Sequence, residues 1–353
     1  MVASAPAFTS VPAPLMCEQR SDAVLLQDLL SGLRASPKRI ASQWSRDERG
    51  AALHDRLCAA PEYYLARAEL ALIDTNAERI AQRIGPSAAL VEFGGGTHLG
   101  ARVLLDELVQ PAAYVPVDVA RTPLVAASRA LAARFPDVSV LPVCADVTRV
   151  FMLPAAVHKV VRRVVYLSGG ALGHFVTDEA IELLRLMHAI AGPEGALLVG
   201  IDFPKEREVL ERAYAGGTAA ALNRNALRHL NQRFGANFDV RQFVHHAVWV
   251  DAQSRIETSL VSECDQTVCL GGEDIAFATG ERVLMAYHHK HSPEALASMA
   301  DDAGLAVRDA WTDDEWRFSV QLLEPSSKGA ARELRNPKGR LLLPGRIGSA
   351  PAF

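Results

Sequence analysis

The sequence predicts an α/β protein built on a parallel sheet with helices on both faces, and three observations favour this fold class. Strand-like apolar runs alternate with helix-like segments over residues 88–203. Three consecutive glycines, Gly94 to Gly96, follow the first of these strands. Acidic residues mark the ends of the first three strands, at Glu92, Asp118 and Asp146. Alternation of this kind gives right-handed crossovers, which bring the carboxyl ends of the strands to one edge of the sheet.

Helical signals precede and connect these strands. Residues 22–36 and 47–83 carry apolar side chains at spacings of three and four, with an interruption at Pro61, and predict N-terminal helices. Asp178 and Glu179 fall in the first turn of a later helix, where the helix dipole favours carboxylates. The predicted strands are 88–93, 113–118, 138–145, 161–167 and 196–202, and the helices between them are 98–109, 121–135 and 177–191.

The regular alternation ends after residue 203. Residues 205–234 have a helical pattern, and the region that follows predicts antiparallel strands separated by short polar or glycine-rich turns. A further helix and an antiparallel hairpin then complete the sheet. The predicted strands are 247–251, 255–263 and 266–270, with more around 275–286, and the final helix and strands are 292–303, 305–311 and 317–323.

The position of these strands predicts how the chain is divided. We expect residues 205–288 to be an insertion between sheet strands five and six. This insertion would form a substrate-binding subdomain or lid together with the N-terminal helices of residues 21–70. The other predicted parts are a disordered Ala/Pro/Ser-rich arm, a cofactor-binding sheet domain and a loosely ordered tail, over residues 1–20, 71–204 with 289–325, and 326–353.

The acidic residues indicate the class of ligand. Asp118, at the end of the second strand, is suited to binding two ribose hydroxyls, and Asp146 after the third strand is suited to adenine. Glu92 favours S-adenosylmethionine over NAD, because a carboxylate can hold the ligand's ammonium whereas a dinucleotide site needs backbone N–H groups facing phosphate. The dinucleotide motif is also broken, since Leu99 occupies its last glycine position. The sequence therefore predicts S-adenosylmethionine as the cofactor.

Composition excludes several other classes of function. A net charge of −4 and the lack of a Lys/Arg-rich block argue against a nucleic-acid partner. No run reaches the apolar length of a membrane span, and five scattered cysteines predict reduced thiols in the cytoplasm. Adjacent His245 and His246 would point to opposite faces of a strand, so no metal site is predicted. The expected partner is a small-molecule substrate, bound by a monomer or homodimer.

Ten short segments carry a further pattern, in order, between residues 36 and 325. They are Pro61–Tyr64, the glycine loop, Tyr114–Asp118, Gly169–Phe175, Ala213–Tyr214, Thr218–Asn223, Arg255–Glu257, Gln266–Val268, Gly280–Glu281 and Trp311–Asp313. In these segments the chain resembles the histidine Nα-methyltransferase family of ergothioneine biosynthesis, whose relatives include fungal enzymes methylating tryptophan-derived amines. The resemblance implies a class I methyltransferase fold, which is Rossmann-like with seven strands, carrying an α+β substrate-binding insertion.

The resemblance also implies roles for individual residues. Those expected to bind the cofactor are Glu92, Gly94, Gly95, Gly96, Asp118, Cys144, Asp146, Ser168 and Gly169. Those expected to bind the substrate are Tyr63, Tyr64, His174, Tyr214, Asn223, Thr258, Ala286 and His288.

Departures from the family pattern concentrate at the substrate site. The Asn that helps to hold the amino acid's carboxylate in the family is His174 here. The Glu and Ser that hold the substrate imidazole are Ala286 and His288. A tyrosine in the family's Trp-x-Tyr-Asp segment is Arg46, and the Met that follows Arg-Ile-Glu is Thr258.

These departures argue against histidine as the substrate. A polar ring without its matched carboxylate loses about 1–3 kcal/mol, whereas Met285 and Ala286 give a roomier and more apolar site that suits a larger ring such as indole. The acceptor atom, N or C, stays open, as do two alternatives: a histidine-type Nα-methyltransferase and a catalytically silent cofactor-binding relative. The family's Lys-Thr after the glycine loop is Gly100–Ala101, so the cofactor's carboxylate needs another partner.

His174 is the predicted catalytic base, because an imidazole replaces an amide at the edge where the methyl group is transferred. In that role it would give an acidic limb in the rate profile near about pH 6–7. The alternative is that His174 only fills the space of the Asn. Tyr64 and Tyr214 are further catalytic candidates. His98, in the glycine-loop turn, is expected to cap the helix or to be solvated.

Overall fold

The computed structural model describes residues 15–17, 20–94, 98–315 and 317–326. In chain order the strands of these residues are β1 Met16–Cys17, β2 Lys38–Arg39, β3 Ala89–Phe93, β4 Ala113–Asp118, β5 Ser139–Val140, β6 Val143–Cys144, β7 Arg163–Leu167, β8 Ala196–Asp202, β9 Phe243–Val250, β10 Arg255–Ser262, β11 Gln266–Leu270, β12 Glu273–Phe277, β13 Arg282–His289, β14 Leu305–Thr312 and β15 Phe318–Pro325. The α-helices are α1 Asp22–Arg34, α2 Glu48–Ala59, α3 Leu65–Ile84, α4 Leu99–Glu107, α5 Arg121–Arg134, α6 Thr177–Ala191, α7 Arg207–Ala215, α8 Gly217–Phe234 and α9 Pro293–Asp302.

A central sheet has the strand order β1-β6-β4-β3-β7-β8-β15-β14, with β5 also paired to β4. Strands β6, β4, β3, β7 and β8 are parallel, and β15 lies antiparallel between β8 and β14. Without β1 and β5 this is a seven-stranded Rossmann-like sheet with one reversed strand. The predicted class I fold is therefore confirmed. Because β3, β4 and β6 are neighbours, the residues at their carboxyl ends meet at one edge.

Both faces of the sheet are buried, which explains the continuous apolar strands. Alternate residues of β3 show this clearly: Val91 packs in one core with α6 and α9, and Leu90 packs in the other with α3 and α4. All seven residues of β8 are buried, including its last residue, Asp202. Charged residues are seldom buried in this way without partners, so Asp202 indicates a polar site at the strand end.

The structure corrects the predicted third strand. The predicted continuous strand 138–145 is two short strands, β5 and β6, separated by Leu141 and Pro142. Pro142 has no N–H to donate to the ladder, and it lies beside β4, whose Pro116 also lacks this donor. The polypeptide pairs again only at Val143, opposite Val117.

The insertion differs from its predicted strand pairing. Strand β10 pairs with β9 on one side and β13 on the other, and β2 extends this second sheet. Residues 266–270 do not join it, since they pair with β12 as a separate hairpin. The predicted strand region 275–286 is likewise divided between β12 and β13, with a turn at Gly280 whose φ of 80° favours glycine. The predicted helix 205–234 is two helices, α7 and α8, which meet at Gly216.

The ends of the chain fall mainly outside the described residues. Most of the predicted disordered arm, 1–20, lies there, but Met16 and Cys17 form β1 and pair in parallel with β6, contrary to that prediction. The predicted loosely ordered tail, 326–353, lies outside the described residues apart from Ser326, whose N–H donates to the Gly304 carbonyl. The N-terminal helix α1 packs into the core of the insertion through Leu29, Leu30 and Leu33.

Candidate active site

Two adjoining cavities lie where the parallel strands of the central sheet end. The first is enclosed by α2, α8, the start of α4 and a wall formed by β10 and β13. The second lies beside the ends of β4 and β6. Arg46, Ala120 and Pro123 line both, so a ligand that fills the second cavity can extend into the first.

The predicted nucleoside-binding acids lie at this junction. Asp118 ends β4, lines the first cavity and accepts a hydrogen bond of 2.7 Å from the Ala120 N–H. Asp146 lines the second cavity, where its carboxylate accepts hydrogen bonds from the N–H (3.0 Å) and hydroxyl (2.6 Å) of Thr148. Cys144 lines the same cavity, and its thiol lies 3.6 Å from the Val119 carbonyl oxygen. A carboxylate at the end of β4, beside a cavity at the end of β6, fits an adenosine ligand.

The glycine loop is described only at its start. Gly94 has a φ of 60°, and its N–H donates to the Val117 carbonyl over 2.9 Å. Gly95 and Gly96, predicted to bind the cofactor, lie outside the described residues. Neither Ser168 nor Gly169 is among the described residues that line the two cavities. Gly169 instead donates its N–H to Glu69 over 2.7 Å, and Glu69 also accepts from the Tyr166 hydroxyl over 2.9 Å.

Glu92 was predicted to contact the cofactor's ammonium, but its carboxylate is buried and does not line either cavity. Its side chain is 1% exposed, and Oε2 lies 2.5 Å from Nδ1 of His98 and also accepts from the Tyr114 hydroxyl. His98 occupies the N-cap position of α4, as one of the two predicted alternatives has it, but its side chain makes no capping hydrogen bond. The ring is buried against the Glu92 carboxylate, so the predicted solvation is wrong. Burial alone lowers the pKa of His98, but Glu92, assisted by Asp118 and Asp55, raises it above its ordinary value.

Tyr64 and Tyr214 meet at a buried ionic cluster around Asp202. The Tyr64 hydroxyl donates to the Asp202 carboxylate at 2.7–2.8 Å, and the Lys290 ammonium donates to Asp202 over 2.6 Å and to the Tyr214 hydroxyl over 2.9 Å. Lys205 also pairs with Asp202. Tyr214 lines the first cavity, whereas Tyr64 is not among its lining residues. The structure thus places Tyr64 behind the site instead of against the substrate as predicted.

Neutral histidines form one side of the first cavity. The rings of His174 and His288 are 4.9 Å apart, and the ring of Tyr214 lies 4.3 Å from that of His288. Nδ1 of His174 lies 3.0 Å from the Tyr287 carbonyl, which can only accept, so the proton is on Nδ1 and the lone pair on Nε2. Burial, together with the charge of Arg46, lowers the pKa of His174 to about 3. His174 therefore does not account for a rate limb near about pH 6–7, contrary to prediction.

His288 and His245 are uncharged for related reasons. Burial and the neighbouring His174 and Lys290 lower the pKa of His288 well below its ordinary value. The pKa of His245 is lowered mainly by burial. His245 donates from Nε2 to the Tyr214 carbonyl over 2.8 Å, which leaves Nδ1 to accept from the Asn223 amide over 3.2 Å. His245 lines the cavity and His246 is exposed, as expected for neighbours on a strand.

The wall formed by β10 and β13 carries the remaining substrate candidates. Thr258 and Ala286 are paired across the two strands, and both are buried and line the cavity. Tyr63 lines it from the N-terminal segment and packs edge-on against Tyr214, with ring centroids 5.8 Å apart. The structure thus gathers Tyr63, His174, Tyr214, Asn223, Thr258, Ala286 and His288 around one cavity.

Comparison with known proteins identifies the family. Residues 25–325 match the family model for SAM-dependent, histidine-specific methyltransferases. The chain is also 33% identical over 307 residues to the histidine N-alpha-methyltransferase of Mycolicibacterium smegmatis, covering 84% of this chain and 94% of that protein. The chain belongs to this methyltransferase family. It is therefore an S-adenosylmethionine-dependent methyltransferase, and the cofactor and family predicted from the sequence are confirmed.

Other relatives of the family carry different names. An N-methyltransferase of Aspergillus fumigatus is 27% identical over 315 residues, covering 85% of this chain and 84% of that protein. An L-tryptophan methyltransferase of Psilocybe serbica is 23% identical over 164 residues, covering 45% of this chain and 46% of that protein.

Sequence reasoning missed several residues of the site. Asp202, Lys205 and Lys290 look like ordinary surface charges in the sequence, and the one available signal was that Asp202 ends a continuously apolar strand. Asp55 and His54 line the cavity from α2. Two further findings concern the described residues alone: no cluster of three or more His, Cys, Asp or Glu could hold a metal ion, and no helix is long and apolar enough to cross a membrane.

Proposed function

We propose that this family member transfers a methyl group to a small aromatic, amine-bearing molecule, and that an indole- or tryptophan-derived ring suits it better than histidine. The observation that carries this proposal is the pairing of Ala286 with Thr258 on the buried cavity wall. Both side chains are small, and neither can neutralise a charge. A polar ring placed against them would lose its hydrogen bonds to water without a charged replacement, which costs about 1–3 kcal/mol.

The electrostatics of the cavity support the same conclusion. Burial keeps the neighbouring imidazoles of His174 and His288 neutral, so they offer an aromatic surface beside Tyr214. Such surfaces favour offset or edge-on contact with another aromatic ring. The lining carboxylates, Asp55 and Asp118, belong to α2 and to the end of β4. Neither is on the wall that Ala286 and Thr258 form.

We propose that Asp118 binds the ribose of the cofactor and that Asp146 and Cys144 hold the adenine. The bound cofactor supplies a sulfonium methyl that is already activated, so the protein mainly has to align the acceptor and exclude water. The lone pair on Nε2 of His174 is suited to accept a hydrogen bond from an N–H of the acceptor. A pKa of about 3 makes this imidazole an orienting acceptor instead of an effective base at neutral pH.

The named relatives are consistent with this range of acceptors. They include a histidine N-alpha-methyltransferase, an N-methyltransferase and an L-tryptophan methyltransferase. Proteins similar to this chain are thus named for both histidine and tryptophan, and we propose that the residues of the wall select the ring that this chain accepts.

The direct test is a substrate panel. Purified protein is incubated with S-adenosylmethionine and L-histidine, L-tryptophan, tryptamine or another aromatic amine. S-Adenosylhomocysteine release and the product masses are then measured. We expect indole-bearing amines to have a higher kcat/KM than L-histidine. Trimethylation of L-histidine at an equal or higher kcat/KM would overturn the proposal, and cofactor binding without any methylated product would support the silent-relative alternative.

A further inference from the structure

His98 occupies an unusual position for a titratable side chain. It precedes α4 with a left-handed φ of 53°, and its side chain is 6% exposed and lines the first cavity. Nδ1 contacts the Glu92 carboxylate at 2.5 Å and the Tyr114 hydroxyl at 2.9 Å. Within the described residues Nε2 makes no hydrogen bond. The ring thus has one nitrogen held by buried groups and a second that is unused beside a cavity.

The order of the strands indicates what this nitrogen would meet. Strand β3 lies between β4 and β7, and Glu92 is on β3. If the ribose is bound by Asp118 at the end of β4 and the adenine lies in the cavity beyond β6, the rest of the cofactor must extend in the opposite direction. That direction leads across the end of β3, where His98 lies. The methionine moiety of the cofactor carries an ammonium and a carboxylate to this position.

Among the described residues the start of α4 places no other cation in the cavity, because Arg102 in its first turn is exposed and does not line the cavity. The helix begins with Leu99, Gly100 and Ala101, and a Cβ on Gly100 would lie 2.6 Å from the Tyr166 hydroxyl and 3.1 Å from Ile73. Packing therefore excludes a long side chain at this position unless its neighbours move. Of the described residues that line the first cavity, Arg46 is the other cation, but its guanidinium lies 3.9 Å from Asp118, on the ribose side.

We propose that His98 binds the carboxylate of the cofactor's methionine moiety, and that Glu92 acts through His98 by holding its ring in place and keeping it cationic. This assigns Glu92 a positioning role in place of the predicted direct contact with the ammonium. The charged groups around the His98 ring are Glu92 behind it and Asp118 and Asp55 nearby. All three carboxylates favour the imidazolium form, which a ligand carboxylate would stabilise further.

The test measures binding without any methyl acceptor, so its outcome is independent of the substrate proposed above. Isothermal titration calorimetry compares S-adenosylmethionine with decarboxylated S-adenosylmethionine, which lacks only the carboxylate. A charge-assisted hydrogen bond predicts that the wild-type protein binds the complete cofactor about tenfold or more tightly. In His98→Asn the ratio of the two affinities should fall to near one. Affinity for the complete cofactor should be weakened, while affinity for the decarboxylated form should change little.

Asn is chosen because it tolerates the left-handed conformation of His98. Arg46→Met is the matched control, since it removes the other cavity cation and should keep the preference for the carboxylate. Glu92→Gln gives a second test that leaves His98 in place. With its main charged partner removed, His98 should deprotonate at lower pH, so the preference should be weak at about pH 7.5 and recover at about pH 5.5.

The sign of the pH dependence is set by the raised pKa of His98. The imidazolium is present at low pH, so the wild-type preference should decline as the pH rises through that pKa, and His98→Asn should show no such decline. If His98→Asn weakens both ligands equally, or keeps the preference, then His98 only shapes the loop and the proposal is wrong. A preference that is unchanged in Glu92→Gln at every pH would also contradict it.

Discussion

Lys290 and Asp202 form a 2.6 Å ion pair in which the two side chains are only 1% and 2% exposed. Lys205 contacts the same carboxylate, so one buried anion holds two ammonium groups. Burial lowers the pKa of both lysines, and the Asp202 charge opposes that effect. Because Asp202 ends β8 and Lys290 follows β13, the cluster joins the central sheet to the strand that forms part of the wall of the first cavity.

This arrangement predicts an asymmetry between substitutions. Asp202→Ala leaves two buried ammonium groups without their anion and should lower the free energy of unfolding by about 3–5 kcal/mol. Lys290→Met removes one cation and leaves the Lys205–Asp202 pair, so it should lower the free energy of unfolding by clearly less. Urea denaturation of the two variants at one pH measures both values. A loss in Lys290→Met as large as that in Asp202→Ala would contradict this view of the cluster.

A second prediction concerns Asp118, the carboxylate proposed to bind the ribose of the cofactor. Asp118→Ala should weaken S-adenosylhomocysteine binding by roughly tenfold to a hundredfold, since a hydrogen bond to a charged group contributes about 1.5–3 kcal/mol. Calorimetric titration measures the affinity, and an unchanged far-UV circular dichroism spectrum shows that the fold is intact. Asp137→Ala, at an exposed carboxylate before β5, is the control and should bind normally. Normal affinity in Asp118→Ala would mean that the ribose lies elsewhere.

Much of the central sheet could be predicted because the sequence patterns that mark its strands and helices each lie within one short segment. The bounds of β4, β8 and α6 agree with the sequence to the residue, since each is a single apolar run or helical pattern with clear ends. Strand pairing in the insertion was less predictable. Residues 266–270 are predicted as a strand like residues 255–263, but nothing in their own sequence shows that they pair with β12 and not with the second sheet.

The ionic parts of the site could not be predicted, because they depend on side chains that are far apart in the sequence. Tyr64 and Lys290 meet at Asp202 from positions 138 and 88 residues away. His98 and Glu92 are only six residues apart, but no local pattern in the sequence indicates that their side chains are in contact. The sequence does not indicate which of these side chains are in contact, and only burial in the folded chain reveals their pairing.

A third prediction tests specificity at the cavity wall. Ala286→Glu places a carboxylate beside Thr258, where the family has its glutamate, and His288→Ser supplies the hydroxyl that accompanies it. This double variant should improve kcat/KM for L-histidine relative to tryptamine by about tenfold, as one matched polar contact provides about 1–3 kcal/mol. Ala51→Glu places a carboxylate in the same cavity from α2 and should give no such change. An unchanged ratio in the double variant would show that the wall does not select the ring.

The last prediction concerns how His174 acts. If Nε2 orients the acceptor by accepting a hydrogen bond, His174→Asn keeps an accepting oxygen and should retain turnover to within about tenfold. His174→Phe keeps a ring without any acceptor and should lose roughly tenfold to a hundredfold, the effect of a missing hydrogen bond. Single-turnover rates at saturating cofactor measure this, and affinity for S-adenosylhomocysteine should be the same in all three proteins.

The pH profile separates this role from general-base catalysis. Burial holds the pKa of His174 near 3, far below the ordinary value of 6.5, so the folded protein keeps it neutral at every pH above about 4. Wild-type and His174→Asn rates should therefore have the same pH dependence between about pH 5 and pH 8. A base would behave differently: the wild-type rate would fall near about pH 6–7, and His174→Asn would lose that limb together with roughly 10²–10⁴-fold in turnover. That result would return His174 to the role of proton acceptor and would require bound ligands to raise its pKa by several units.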